Sequence, residues 1–221
     1  MMGRPGRLGR SSLSTSSSIE EAFGRVIECC RTLDMHAATT LRPPVPEARV
    51  VDTFGHAFDR EPPEHLLQWF ALHDGQHESR PGWGPWPITR RWVLVSLDEA
   101  AKQHEDWVRD WANEAIEDME IVWRSAVPVL RSDNYWICAS VDADTTIVEV
   151  PHGDEATVHA CDLIDVCDTI ADMNLGGITV VETVDPPAQH LTVNSEQTDD
   201  ELRSRPSFQP VSYTHLTLPT N

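Results

Sequence analysis

Apolar positions along the chain fall into blocks with two different periods. Ile19, Ala22, Phe23, Val26, Ile27, Cys30 and Leu33 recur at helical spacing, which gathers them on one face. Ser18 and Glu21 stand ahead of that run as a Ser-x-x-Glu capping box and set its start. Arg42-Pro43-Pro44-Val45-Pro46 then imposes an extended connection, because proline restricts both itself and the residue before it. A second helix is expected from Ala48 to about Phe58. A third opens at Pro62-Pro63, carries Leu66, Trp69 and Phe70 inward, and ends at Gly75, a residue suited to a C-terminal cap. The stretch from His77 to Pro87, with Gly and Pro around Trp83 and Trp86, reads as a loop.

From Arg91 the period changes. Arg91 to Val95 predicts a strand, and Ser96 with Glu99 forms a second capping box. A helix follows, with Leu97, Ala100, His104, Trp107, Val108 and Trp111 as its stripe and the acidic segment Asn113 to Glu120 at its far end. Val127 to Leu130, Tyr135 to Ser140 and Thr145 to Val150 predict strands separated by Asp133-Asn134 and Asp142-Ala143-Asp144. Such short connections dictate an antiparallel meander, since parallel neighbours need long crossovers. A fourth strand is expected near Ala156 to Val158. A helix capped by Asp162 comes next, with Leu163, Val166, Cys167, Ile170 and Ala171 inward, ended by Gly176-Gly177. Ile178 to Val184 suggests one more strand. The pattern therefore predicts an α+β fold: a central antiparallel sheet of about four to five strands flanked by helices.

The ends of the chain depart from this patterning. Residues 1–17 are rich in Gly, Arg and Ser and are expected to be disordered. Residues 18–184 are expected to form a single domain, and 185–209 a flexible polar tail. Residues 210–221 contain Val-Ser-Tyr-Thr-His-Leu-Thr-Leu-Pro-Thr, which reads as a translated transposon end joined to a sequencing adapter. That segment is expected to be non-native, so Tyr213 and His215 carry no functional weight.

Charge narrows the function. The 221 residues carry a formal net charge of −19. Phosphate backbones and anionic membrane surfaces are repelled by such a field, so neither nucleic acid nor membrane is an expected partner. A basic protein is attracted and its encounter accelerated. No apolar run reaches the ~20 residues of a membrane span. The five cysteines, Cys29, Cys30, Cys138, Cys161 and Cys167, are odd in number and irregularly spaced, which favours a reducing compartment. The expected location is cytoplasmic.

Candidate chemistry is sparse. His73-Asp74-Gly75-Gln76-His77 gathers two imidazoles and a carboxylate, but Gly75 interrupts the helix, so His73 and His77 do not share the face used by zinc-binding helices. A helix end with polar loop residues explains the same string. Cys30 and Cys167 fall on apolar stripes and read as small hydrophobes. Cys29 is expected to be exposed and is the candidate nucleophile, with Arg25 and Arg31 as its basic neighbours. Phosphate-cradling glycine loops, serine elbows and dinucleotide fingerprints are absent from the sequence. No cofactor and no metal are expected.

One ordered set of motifs resembles the SUKH superfamily, in its branch of cell-wall-assembly regulators and killer-toxin-resistance proteins. The set begins with Leu41-Arg42-Pro43-Pro44 and continues through Pro62 to Gln76, ending in a His-Asp-Gly-Gln turn. Arg91 to Ala100, ending in Leu94-Val95-Ser96-Leu97-Asp98-Glu99-Ala100, is similar to its strand-to-helix step, and Trp123 with Ala126 to Leu130 to its proline-containing strand. Val141-Asp142, His152-Gly153-Asp154 and the helix from Asp162 complete the order, over roughly Leu41 to Gly176. The acidic extension from Asn113 to Glu120 departs from the pattern. The resemblance implies a non-enzymatic immunity protein that binds and neutralises a toxin effector, with no catalytic residues. A regulatory scaffold for an endogenous partner is the alternative, and an enzyme using Cys29 or a His73/His77 metal site the third. Expected partner contacts are Asp74, Trp83, Trp86, Asp142, Asp144, Asp154 and Glu155, in loops flanking the sheet.

Overall fold

The computed structural model describes residues 16–78, 87–89, 92–111, 124–132, 135–151, 156–175, 179–184 and 188–193. Trp83, Trp86, Asp154, Glu155, the acidic extension 113–120 and the adapter-like 210–221 segment lie outside these residues. Among the described residues no helix is long and apolar enough to cross a membrane.

Among the described residues, five α-helices and a five-stranded antiparallel sheet make up the α+β body. The helices are α1 (Ile19–Thr32), α2 (Glu47–Ala57), α3 (Glu64–Leu72), α4 (Leu97–Trp111) and α5 (Leu163–Leu175). The sheet strands are β1 (Val93–Leu94), β2 (Ala126–Arg131), β3 (Tyr135–Ser140), β4 (Ile147–Pro151) and β5 (Thr157–His159), in spatial order β1-β2-β3-β4-β5. Every neighbouring pair is antiparallel, as the short connections of the meander require. Pro128 lies at a register shift between Pro128 and Leu130, where a bulge accommodates a residue that has no N–H to give.

Both serines cap their helices as read, through the amide three residues on, while the two glutamate carboxylates turn to other partners, Glu99 to Arg131. The Glu21 amide donates to Ser18 Oγ at 3.2 Å, but the Glu21 carboxylate accepts from the amide and hydroxyl of Ser17. The Glu99 amide donates to Ser96 Oγ at 3.2 Å. Asp162 and Asp165 cap α5 reciprocally, each carboxylate accepting the other's amide, at 2.8 and 3.3 Å.

The register gives the sheet two apolar faces. Val127, Leu130, Ile137, Ala139 and Ile147 join the main core with α1, α3 and α5. Ala126, Cys138, Val148 and Val150 face the other way, where Trp107 of α4 meets Trp136 edge-on at 5.8 Å. Helix α1 is fastened to α5 by Arg25, which pairs with Asp168 and with Asp172 at 3.2 Å.

Four expectations are corrected. Ser16 is not part of a disordered tail: its amide and hydroxyl donate to Asp168 at 2.9 and 2.7 Å, and it is buried. Helix α3 ends at Leu72, three residues before Gly75. Ala188–Val193 is a strand, β7, paired antiparallel with β6 (Thr179–Val184) in a separate two-stranded sheet, rather than flexible tail. Cys29 is buried, because α5 covers the second side of α1, and its thiol donates to the Ala171 carbonyl at 3.9 Å.

Candidate functional site

The His-Asp-Gly-Gln string is the most chemically suggestive motif of the sequence, and each of its residues holds the fold together. His73 is fully buried between Phe23, stacked at 4.7 Å, and Trp69, edge-on at 4.8 Å. Its Nδ1 accepts the Gly75 amide at 2.9 Å, so the ring is the neutral Nε2–H tautomer. Burial depresses its pKa to about 3. Asp74 turns inward: one carboxylate oxygen accepts the Leu97 amide at 2.9 Å and the other lies 3.6 Å from Arg49. Gly75 has φ +68°, and a Cβ there would sit 2.5 Å from the Ser96 amide nitrogen. Gln76 donates to Thr40 Oγ1 and accepts the Leu94 amide, both at 2.9 Å, which ties the Pro-rich connection to β1.

His77 points outward, with its amide on the Thr40 carbonyl and its ring against the Glu78 carbonyl. The His73 and His77 rings therefore do not converge, and among the described residues no group of His, Cys, Asp or Glu is arranged to hold a metal ion. The thiols offer no nucleophile either. All five are buried, and burial raises the Cys29 thiol, lifts Cys30 and Cys161 to about 12, and pushes Cys138 and Cys167 up as well.

A different place brings polar groups together. A cleft of about 530 Å³ opens where the first turn of α3, the β3–β4 turn and the start of α5 meet beside the first residue of α1. Ile19, Val141, Leu163 and Ile164 give it apolar walls, and Glu64, Asp142, Asp144 and Asp162 give it carboxylates. No lysine or arginine is among its described lining residues. The helix starts and the turn that border it follow from local sequence. Pro63 and Asp162 stop the chain and start helices there, and acidic side chains are favoured at helix N-termini by the aligned backbone dipoles. Asp142 and Asp144 occupy a two-strand turn that leaves both exposed.

Two contacts organise the rim. Arg60, in the α2–α3 connection, donates to Asp142 at 2.6 Å. His65 of α3 reaches across to the Ser140 carbonyl, with Nε2 at 3.0 Å. Burial lowers the His65 pKa, while the Ser140 bond and the charges of Asp144 and Asp162 pull it back up.

Of the expected contacts, the structure brings Asp142 and Asp144 together in the cleft and leaves Asp74 outside it, engaged within the fold. Glu64, His65 and Asp162 were not foreseen. Their signal is present in the sequence as acidic or polar residues immediately after helix-starting prolines and at a helix cap, but nothing local brings those two helix starts together.

No protein-family model matches the chain, and a search of curated proteins finds no significant match. The resemblance to the SUKH superfamily therefore rests on motif order alone.

Proposed function

We propose that this chain is a non-catalytic binding domain, of the immunity type, that neutralises a basic toxin effector by receiving its cationic surface in the acidic cleft. The observation that carries the reading is the cleft itself: carboxylates of Glu64, Asp142, Asp144 and Asp162 over apolar walls, with no described cationic lining residue. A basic side chain meets both needs of such a place. Its aliphatic stem packs on Ile19, Leu163 and Ile164 while its charged end reaches the rim. The field of a chain at −19 accelerates the approach of such a partner. Buried, unactivated thiols and diverging histidines favour this reading over the nucleophile and metal alternatives.

The test is co-expression. Each gene adjacent to the one encoding this chain is expressed in a sensitive host, with and without the wild-type chain. Rescue by the wild type, and loss of rescue with Asp142→Lys/Asp144→Lys, is the expected result. A neighbouring toxin that kills equally in both cases contradicts the reading. Stable capture of an endogenous basic protein, with no toxin encoded nearby, would support the regulatory-scaffold alternative instead.

A further inference from the structure

His65 is the one imidazole among the described residues that line the cleft, and the charged side chains lining it with His65 are all carboxylates. Glu64 neighbours it on α3, Asp142 and Asp144 face it from the β3–β4 turn, and Asp162 from the start of α5; Arg60 enters only through its pair with Asp142. We propose that His65 regulates the cleft by taking up a proton: uncharged, it leaves the negative field to an incoming cation, and as imidazolium it supplies a positive charge of its own beside Asp144 and Asp162. This deepens, and rests on, the reading of the cleft as the docking site for a basic partner.

The geometry allows the charge to change while the ring stays in place. Neutral His65 satisfies the Ser140 carbonyl by donating from Nε2 at 3.0 Å. Protonation adds a proton at Nδ1 and leaves the Nε2–H bond intact, so no backbone partner is lost. Burial opposes the charged ring and the two aspartates favour it; burial outweighs them, so the transition lies below that of an ordinary histidine. His104 is the instructive contrast. It is buried, tilted against Phe58 at 4.4 Å and bonded to the Ala126 backbone, but the charge acting on it is that of Arg60, which opposes protonation, and it does not line the cleft.

Two measurements on the full chain test this. In the first, the His65 ring is titrated by NMR from pH 8 to pH 4 in the wild type and in D144N. Removing a neighbouring negative charge is expected to lower the His65 midpoint; a midpoint unmoved in D144N overturns the proposal. In the second, a fluorescently labelled Arg-Gly-Arg-Gly-Arg-Gly amide is titrated into wild type and H65Q at pH 7.5 and at about one pH unit below the His65 midpoint found by NMR, at one ionic strength. The wild type is expected to lose about threefold or more in affinity on acidification, the size of one added unit charge near a solvated site. H65Q is expected to lose less. Coincident pH dependences of the two proteins overturn the proposal. No binding of the peptide at either pH, with the His65 midpoint still responsive to D144N, overturns the docking reading and leaves the coupling between His65 and Asp144 standing.

Discussion

The Leu97 amide and the Asp74 carboxylate, 23 positions apart, meet at 2.9 Å, so the start of α4 is capped by the turn that follows α3. Ser96 caps the same helix locally through the Glu99 amide. One helix start thus draws on two segments, and the second links α3 to α4 across the core. Asp74→Ala is expected to destabilise the chain by about 1–2 kcal/mol, as the loss of a capping acceptor does. Denaturant unfolding measures this. Binding of a basic partner should be unchanged, because Asp74 lies outside the cleft. Full stability with impaired binding would reverse that assignment.

Gly75 next to it is irreplaceable for two separate reasons. Its φ of +68° strains any residue with a Cβ, and that Cβ would collide with the Val95–Ser96 backbone. Gly75→Ala should cost roughly 2–4 kcal/mol, in the range of strained-backbone and overpacking substitutions. A melting temperature within a degree or two of the wild type would contradict the geometry.

His73 gives the fold an acid dependence of known sign. Its folded pKa of about 3 lies below the 6.5 of an exposed ring. The neutral ring therefore contributes stability that is present above pH 6.5 and is lost as pH falls towards 3. A single such group changes the unfolding free energy by at most about 1.4 kcal/mol per pH unit in that window. His73→Phe should flatten the wild-type slope between pH 6 and pH 4. Equal slopes would show that the ring is not buried in its neutral form.

The thiols make an independent test of the core. With Cys29 covered by α5 and the others buried, native protein should react with an aromatic disulfide about a hundredfold or more slowly than protein in urea, because attack must wait for opening. One fast equivalent in the native state would place Cys29 back at the surface.

The parts of this structure that were legible in the sequence are those fixed by near neighbours. Ser18, Ser96 and Asp162 announce their helices because a cap and its amide are three residues apart. The β2–β3–β4 meander follows from short turns between alternating segments. What escaped is non-local. The exposure of Cys29 depends on whether another helix packs on the second side of α1, and that packing draws on partners 142 to 147 positions away, among them Asp168 and Asp172 for Arg25 and the Ala171 carbonyl for Cys29 itself. Ala188–Val193 is too polar to read as a strand, and gains its identity from pairing with β6. Asp142 and Asp144 were foreseen because turn acids stand out. Their company with His65 and Asp162 was not, because it arises where α3 and α5 start, nearly a hundred positions apart, on one wall.

The cleft as a receptor for positive charge is tested most directly by equilibrium binding. The chain, wild type and Asp142→Asn/Asp144→Asn, is titrated at pH 7.5 against the purified toxin identified by co-expression, at low and at physiological salt. Affinity at least tenfold weaker in the double variant, with a shallower salt dependence, is the result expected of a carboxylate-lined docking site. Equal affinity and equal salt dependence in the two proteins would contradict it.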